Sequence, residues 1–330
     1  MESLLFALSA VLPIVLMIAI GFLLKKAGFI RPDFVKAGNK LVFRVFLPAM
    51  LFLNVYKIDS IGGMDFGYIL YAVIAQILIF FIGLPIVIAT TDKPERRGVL
   101  LQGIFRSNYA LIGIPLAEAL FGSEGVIIAS LLSAAVIPVF NILAVVCLSV
   151  FRRNGGEKPS IKSILLDIVR NPLIQGIAVG VLVLGLRAVF INVGISFRLS
   201  QIAPLFKVLE YLSAMATPLA LLVLGAQFEF AAIKALRREI LVGVFMRNVF
   251  VPALGIGVAY LFFASQFNGA HFASFVAMFA TPVAVSSVPM AQEMDGDLTL
   301  AGQLVVWTTL ISGFSVFVVA FLLKAAGIFG

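Results

Sequence analysis

The chain has 330 residues, of which 62% are hydrophobic and 12% are charged, and its mean hydropathy is +1.14. A soluble domain of this length cannot bury so much apolar surface, so the composition excludes an ordinary soluble protein and predicts a chain that faces lipid. The net charge is +8, but the cations lie in short polar gaps between apolar runs, which favours membrane topology over nucleic-acid binding as their role.

Apolar runs long enough to cross a bilayer, about 20 residues each, follow one another along the chain. They are continuous rather than alternating, which favours helices over a β-barrel. The first run follows Met1, Glu2 and Ser3, which lack the basic region of a signal peptide, so we interpret it as the first membrane span. The ten predicted spans are roughly 4–24, 38–56, 67–90, 98–121, 125–151, 163–187, 204–227, 239–264, 270–293 and 298–323.

Cations alternate between the gaps that separate these spans. The gaps after spans 1, 3, 5 and 7 are basic, whereas those after spans 2, 4 and 8 hold one lysine at most; the gap after span 6 departs from this pattern. Because cationic loops stay in the cytoplasm, we predict a multi-pass protein of the cell membrane, such as a bacterial inner membrane, with both termini outside. The basic gaps carry Lys25, Lys26, Arg31, Lys36, Lys93, Arg96, Arg97, Arg152, Arg153, Lys158, Lys162, Lys234, Arg237 and Arg238.

The two halves of the chain share the order of their prolines and glycines. An odd number of spans per repeat would invert the second repeat relative to the first. We therefore predict a five-helix repeat at 1–151, a cytoplasmic linker at 152–162 and an inverted five-helix repeat at 163–330. The matched positions are Pro13 and Gly21 with Pro172 and Gly180, Pro48 with Pro218, and the pair Asn108 and Pro115 with the pair Pro282 and Pro289.

Spans 4 and 9 carry polar residues and prolines in mid-span. Span 4 contains SNYALIGIP, from Ser107 to Pro115, and span 9 contains TPVAVSSVP, from Thr281 to Pro289. Proline cannot donate a helical hydrogen bond and clashes with the carbonyl four residues before it. An ordinary proline kink would account for one such helix, but matching positions in both predicted repeats favour two broken helices that cross.

A helix break inside the membrane exposes backbone groups that lipid cannot satisfy, so it must face protein or a wet cavity. Two half-helix N-termini that converge there carry partial positive charge and would attract an anion such as a carboxylate. Nearby hydroxyl and amide groups would orient that anion. The predicted substrate-binding residues are Ser107, Asn108, Gly113, Pro115, Thr281, Pro282, Ser286, Ser287 and Pro289.

Ionisable residues within spans are costly and are therefore candidates for function. Arg106 and Arg247 lie inside spans 4 and 8, where each could bind an anion or, alternatively, snorkel to the inner interface. Glu118 and Glu293 could carry a coupling proton, although a solvated helix end is the simpler interpretation of both. Gln76 in span 3 could line a cavity or bond between helices.

The stretch SNYALIGIP resembles the fourth-helix motif of the auxin efflux carrier family, which includes plant PIN-type auxin exporters and bacterial organic-acid permeases. In addition, LPIVLMIAIGFLLKKAGF in span 1 and NKLVFRVFLPAMLF in span 2 resemble bacterial members, so the resemblance covers the whole length. It implies an all-α fold of ten helices in which helices 4 and 9 cross, as in bile-acid symporters and sodium/proton antiporters. One panel of helices would form a scaffold and the other a mobile transport part.

The resemblance assigns functional roles to Asn108, Pro115 and Pro282, and it is compatible with a homodimer. The plant exporters also have a charged support site on the third helix. Span 3 here offers Tyr71 and Gln76 but no Asp or Lys, so this chain departs from that element.

Neither GxSxG nor HExxH nor a Walker loop occurs, and the single Cys and single His exclude a disulfide within the chain and a multi-histidine metal site. We therefore expect no enzyme and no cofactor, but a secondary transporter that carries small organic anions, such as malate, malonate or auxin-like acids, by alternating access. An alternative on the same fold is a sodium- or proton-coupled ion transporter or a channel. The missing mid-span acids in spans 4 and 9 argue against an antiporter, and H⁺ or Na⁺ as a coupling ion stays open.

Overall fold

The computed structural model describes residues 2–58, 66–152 and 160–329, with side chains for all of these except 2–11 and 192. The helices are α1 (Glu2–Lys26), α2 (Pro32–Leu41), α3 (Leu47–Tyr56), α4 (Phe66–Thr90), α5 (Pro94–Phe105), α6 (Ile114–Val150), α7 (Ile161–Arg170), α8 (Pro172–Asn192), α9 (Ala203–Gln227), α10 (Ala232–Ala235), α11 (Arg237–Phe245), α12 (Val251–Phe263), α13 (Gly269–Phe279), α14 (Ser287–Glu293) and α15 (Leu298–Ala325). Most of the predicted linker, including Arg153 and Lys158, lies outside the described residues.

Seven helical stretches of the described residues are long and apolar enough to cross a membrane. This confirms the prediction of a multi-pass α-helical membrane protein, while the number ten and the inverted repeat stay predictions. The seven stretches are Pro32–Tyr56, Phe66–Thr90, Tyr109–Val150, Pro172–Ile191, Ala203–Gln227, Arg237–Phe263 and Leu298–Ala325.

The longest of these stretches doubles back on itself. At Phe121 and Gly122 the backbone leaves the helical region, and Gly122 has a φ of 61°. The Tyr109 hydroxyl donates to the Ala129 carbonyl at 2.9 Å, although residues 20 apart in a straight helix are separated by about 30 Å. Helix α6 is therefore a hairpin whose two arms run antiparallel on either side of Gly122.

Three short stretches form wide π-helical turns, and each ends two residues before a proline. A proline has no N–H for the carbonyl four residues back and clashes with it, so the preceding turn widens instead of closing normally. The turns are Val42–Phe46, Tyr109–Gly113 and Met246–Phe250, and the prolines are Pro48, Pro115 and Pro252.

Ion pairs gather several of the basic gaps on one face of the molecule, which we call the basic face. Arg96, in the first turn of α5, pairs with Glu239 of α11 at 2.8 Å and with Asp297, before α15, at 3.0 Å. Arg152, after α6, pairs with Asp295 at 3.4 Å. The gaps after predicted spans 3, 5, 7 and 9 therefore meet at the same face.

The gaps after the even-numbered spans contact one another in pairs toward the opposite face. The Asn268 amide, after α12, donates to Glu124 at the α6 turn at 3.2 Å. The backbone N–H of Ser200, after α8, donates to the Tyr56 hydroxyl at the end of α3 at 2.9 Å. The two faces thus divide the gaps in the alternation that the charge pattern predicts, and the cytoplasmic assignment of the basic face stays a prediction.

The helices form two panels. In the first, α1, α3, α8 and α9 pack mainly on one another, and the second consists of α4, α5, α6 and α11 to α15. Glycines permit the close crossings in the first panel. A Cβ at Gly21 would collide with the Leu222 carbonyl, and a Cβ at Gly180 would lie 3.2 Å from the Phe52 carbonyl.

The predicted span 163–187 is wrong at its first residues. The chain forms α7, then leaves helical geometry at Asn171, whose side chain accepts from the Leu173 N–H at 3.0 Å and so caps α8. Proline at 172 favours this break because it fits the first turn of a new helix. Helix α7 carries exposed Ile161, Leu165 and Val169 along one side, so it is an amphipathic helix next to the span.

Candidate functional site

Two helices of the second panel break in the middle of the molecule. Helix α5 ends at Phe105, and the next helical turn starts at Tyr109. Helix α13 ends at Phe279, and α14 begins at Ser287. The interrupted stretches are those that the sequence analysis singled out in spans 4 and 9.

The two interruptions lie side by side and are joined through their backbones. Ser107 and Val283 form an isolated antiparallel β-bridge. This pairing satisfies backbone groups that the helix breaks would otherwise leave unpaired within the membrane. The bonded pairs are the Asn108 N–H with the Pro282 carbonyl at 2.8 Å and the Ala284 N–H with the Arg106 carbonyl at 3.2 Å.

The sequence analysis matched two pairs of residues, Asn108 with Pro115 and Pro282 with Pro289. In each pair the helix break lies at the first residue and not at the second. Asn108 and Pro282 lie in the interruptions, whereas Pro115 is the second residue of α6 and Pro289 the third of α14. Pro115 follows a π-helical turn, so its missing N–H is accommodated by a wider helix and not by a break.

A cavity of about 50 Å³ lies between this crossover and the first panel, where α3 and α9 bound it. That volume has room for a few water molecules, so the panels would have to separate before it could admit an organic acid. The lining residues are Leu47, Met50, Leu51, Arg106, Ser107, Asn108, Tyr109, Ala110, Leu111, Ile137, Phe140, Asn141, Ala216, Thr217, Ala220, Ala284, Val285 and Ser286.

Arg106 brings a positive charge to the wall of this cavity. Its side chain is 3% exposed and donates to the Asn141 amide oxygen at 2.8 Å and to the Met290 sulfur at 3.1 Å. Among the described residues no carboxylate pairs with it. A buried guanidinium with only neutral partners retains a strong attraction for an anion.

Two further polar groups at the cavity have unsatisfied hydrogen-bonding capacity. The Ser107 hydroxyl and the Asn108 amide nitrogen are both buried, and neither has a partner in the described part of the chain. Next to them, the first N–H groups of the helical turn at Tyr109, Ala110 and Leu111 have no partner within their own helix. These groups are donors, so the cavity wall is suited to accept a negatively charged oxygen.

The N-terminus of α14 is the second helix end predicted to face the anion, but its first backbone N–H groups are already paired. The N–H of Ser287 donates to the Ala284 carbonyl at 2.9 Å, and that of Val288 donates to the Val285 carbonyl at 3.2 Å. From this side of the crossover only Ala284, Val285 and Ser286 reach the cavity. The positive end of a helix therefore comes chiefly from the turn that starts at Tyr109.

The other predicted residues lie away from the cavity. Thr281 and Gly113 are buried in helix packing, and the Ser287 hydroxyl is buried with no partner among the described residues. Glu118 is exposed on α6, and Glu293 pairs with Arg44 at 2.9 Å.

Gln76 and Arg247 contact the crossover from behind the cavity. Gln76 donates to the Phe105 carbonyl at 3.0 Å. Arg247 is fully buried and donates only to backbone carbonyls, so its guanidinium does not line the cavity. Of Arg106 and Arg247, only Arg106 is positioned at the cavity wall.

Sequence reasoning missed two polar residues of the cavity, Asn141 and Thr217. Asn141 interrupts an apolar run three residues after Pro138, and Thr217 directly precedes Pro218. A polar side chain in an otherwise apolar span is the signal that could have found them. Their distance along the chain from spans 4 and 9 concealed that they share a cavity with Arg106.

No group of three His, Cys, Asp or Glu side chains in the described ranges is arranged to hold a metal ion.

Two uncharacterized transporters are similar to this chain. One, from Methanothermobacter thermautotrophicus, is 24% identical over 309 residues, which cover 92% of this chain and 93% of that protein. Another, from Methanocaldococcus jannaschii, is 26% identical over 233 residues, which cover 69% of this chain and 70% of that protein.

Residues 6–320 match a family described as membrane transport protein. This match spans nearly the whole chain and includes both broken helices and the cavity between the panels. The family is the one that the SNYALIGIP motif predicted, so the predicted resemblance is confirmed. The chain therefore belongs to the membrane transport protein family, the auxin efflux carriers, and is a multi-pass membrane transporter.

Proposed function

We propose that this protein is a secondary transporter of small organic anions, and that a carboxylate binds in the cavity beside the crossover. The observation that carries the proposal is Arg106, a buried cation without a carboxylate partner among the described residues, next to the unpaired donor of Asn108. A bound carboxylate would pair with the Arg106 guanidinium. It would also accept hydrogen bonds from the side-chain amide of Asn108 and from the backbone N–H groups of the turn that follows.

For the architecture we propose ten passes with both termini outside. The seven long apolar stretches become eight when the two arms of α6 are counted separately. Helix α1, with 25 residues, and the broken pair α13 and α14 would supply the other two. The division of the gaps between two faces supports this count.

Contacts within the first panel support the inverted repeat. Gly21 and Gly180 are matched positions in the two predicted repeats, and each crosses a helix of the other repeat. Their partners also match, because Leu222 lies four residues after Pro218 and Phe52 lies four residues after Pro48. Two such equivalent crossings are expected if the halves are related by a pseudo-two-fold axis.

The position of the cavity supports alternating access as the proposed mechanism. It lies between the panels, so relative movement of one panel against the other would open it toward one face and then the other. In the transport cycle that we propose, the first panel is the scaffold and the second panel is the moving part.

The proposal is tested by uptake into proteoliposomes and by substrate-induced thermal shifts. Labelled malate, malonate and indole-3-acetate would be offered to the wild type and to Arg106→Gln. Loss of a charge-assisted pair should weaken binding by roughly 10- to 100-fold, whereas Arg170→Gln, on exposed α7, should bind as the wild type does. Absence of saturable uptake across a broad carboxylate panel would defeat the proposal, and saturation with counterflow would distinguish a carrier from a channel.

A further inference from the structure

Arg247 lies where the two broken helices end, on the side of the crossover opposite to the cavity. It belongs to the π-helical turn Met246–Phe250 and is fully buried. A guanidinium has five N–H donors, and here five backbone carbonyls accept from it. They are Thr281 at 2.8 Å from Nε, Ile104 and Phe105 at 3.2 Å from Nη1, and Met278 at 2.8 Å and Phe279 at 3.2 Å from Nη2.

Four of the five carbonyls belong to the last turns of α5 and α13. The final carbonyls of a helix lack partners within that helix and carry its partial negative charge. Two such ends that point at one spot repel each other unless a cation lies between them. Within the described parts of the chain no carboxylate pairs with Arg247, so the helix ends themselves balance its charge.

Carbonyl oxygens at the ends of broken helices are the groups that coordinate alkali cations in ion-coupled transporters. A hard cation such as Na⁺ takes several oxygen ligands at once, which is the donor set gathered here. The guanidinium occupies the centre of that set, and each of its five N–H groups has one of these carbonyls as its acceptor. No room is left at this position for a mobile ion.

We infer that Arg247 is a tethered cation that replaces a coupling sodium ion at the crossover. It would hold the ends of α5 and α13 together, and so position Arg106 and Asn108 at the cavity, without any ion being bound or released. This inference deepens the proposed function and rests on it for transport. The occupation of the carbonyl cluster by a cation is testable without any substrate.

The test is the melting temperature of Arg247→Ala in detergent. Sodium chloride, N-methyl-D-glucamine chloride and low millimolar guanidinium chloride are compared at constant ionic strength. The wild type should melt at the same temperature in all three. The variant should melt roughly 5–10 °C lower and should recover at least half of that loss in sodium or guanidinium, because either ion can enter the emptied carbonyl cluster, whereas N-methyl-D-glucamine is too large.

Two matched variants separate this role from simple packing. Arg247→Lys keeps a tethered charge and should show no response to the cations. Arg44→Ala removes an exposed arginine, and it too should show none. If Arg247→Ala does not fold, Arg247→Gln, which removes the charge but keeps two N–H donors, takes its place in the same comparison.

A folded, uncharged variant whose melting temperature is the same in all three salts would overturn the inference, as would a wild type that sodium stabilises. Proteoliposomes provide the second readout, in which an imposed sodium gradient should leave wild-type uptake unchanged. Failure of every carboxylate to be transported would count against the proposed function alone, because the melting comparison contains no substrate.

Discussion

Asn108 is the residue at which ligand binding and folding make opposite demands. Its amide nitrogen is buried beside the cavity without a partner in the described part of the chain. An unmet buried donor destabilises the folded protein by about 1–3 kcal/mol. Under the proposed function, a bound anion would accept the hydrogen bond that this donor lacks.

Replacing Asn108 with Ala should therefore weaken carboxylate binding without weakening the fold. We expect a loss of affinity of roughly 10-fold, together with a substrate-free melting temperature that is unchanged or higher. Titration by thermal shift, with size-exclusion chromatography to check the folded state, measures both. A variant that melts lower but binds normally would show that Asn108 has a structural role instead.

Arg106 and Arg247 illustrate how position along the chain differs from position in space. Arg106 and Arg247 are both mid-span cations in the sequence. The structure directs Arg106 to the cavity and Arg247 to the helix ends behind it. Their different partners explain why only the first is assigned to anion binding.

At the scale of elements, the first panel is held together by glycines that let helix backbones touch. A Cβ at Gly225 in α9 would collide with the Ile18 carbonyl of α1. Membrane helices gain little from apolar burial against one another, since lipid is equally apolar, so such close packing contributes much of their association.

Gly225→Ala should for this reason lower the stability of the protein, by about 1–3 kcal/mol for an overpacked contact. Gly185→Ala is the matched control, because no atom lies within 4 Å of its added Cβ and the change favours a helix. Melting temperatures of the two variants should move in opposite directions. An equal response from both would show that the α1–α9 crossing is not a tight contact.

Polar contacts also join the panels between the cavity and the basic face. Asn39, in α2, donates to Gln227 of α9 at 3.1 Å and to Gln292 of α14 at 2.8 Å. Beside them Arg44 pairs with Glu293 at 2.9 Å. These contacts join α2 and α9 to α14 in this conformation, and the contacts of Gln292 and Glu293 must break if α14 moves away from the first panel.

Linking Asn39→Cys to Gln292→Cys should accordingly stop the transport cycle. The native Cys147 is buried and would be replaced by Ser as background. Bridging the two thiols with Hg²⁺ should abolish uptake into proteoliposomes, and reductant should restore it. Either single cysteine serves as the control, and full transport by the bridged protein would mean that the panels do not separate here.

For the whole molecule, the grouping of the gaps into two faces predicts which loops are accessible from outside a cell. Ser200 and Lys93 are both exposed and lie on opposite faces. Cationic loops stay in the cytoplasm, so a membrane-impermeant maleimide should label Ser200→Cys in intact cells and Lys93→Cys only after permeabilisation. The reverse result would invert the proposed topology without altering the fold.

The sequence by itself determined the class of protein, the family and the two places where helices break. Continuous hydropathy, alternating basic gaps and the SNYALIGIP motif are local properties, and the lipid environment enforces them directly. Within span 4 the break lies at Asn108, and Pro115 lies in the first turn of α6.

Only the tertiary structure decided which polar residues share a cavity. Asn141 lies on α6, Thr217 on α9 and Arg106 in the interruption after α5, and nothing along the chain relates them. The physical reason is that helices in a bilayer are apolar on every side, since lipid and protein neighbours are alike in polarity, and periodicity therefore does not reveal which face is buried. The same reason concealed Arg247, whose partners are backbone carbonyls that any sequence provides.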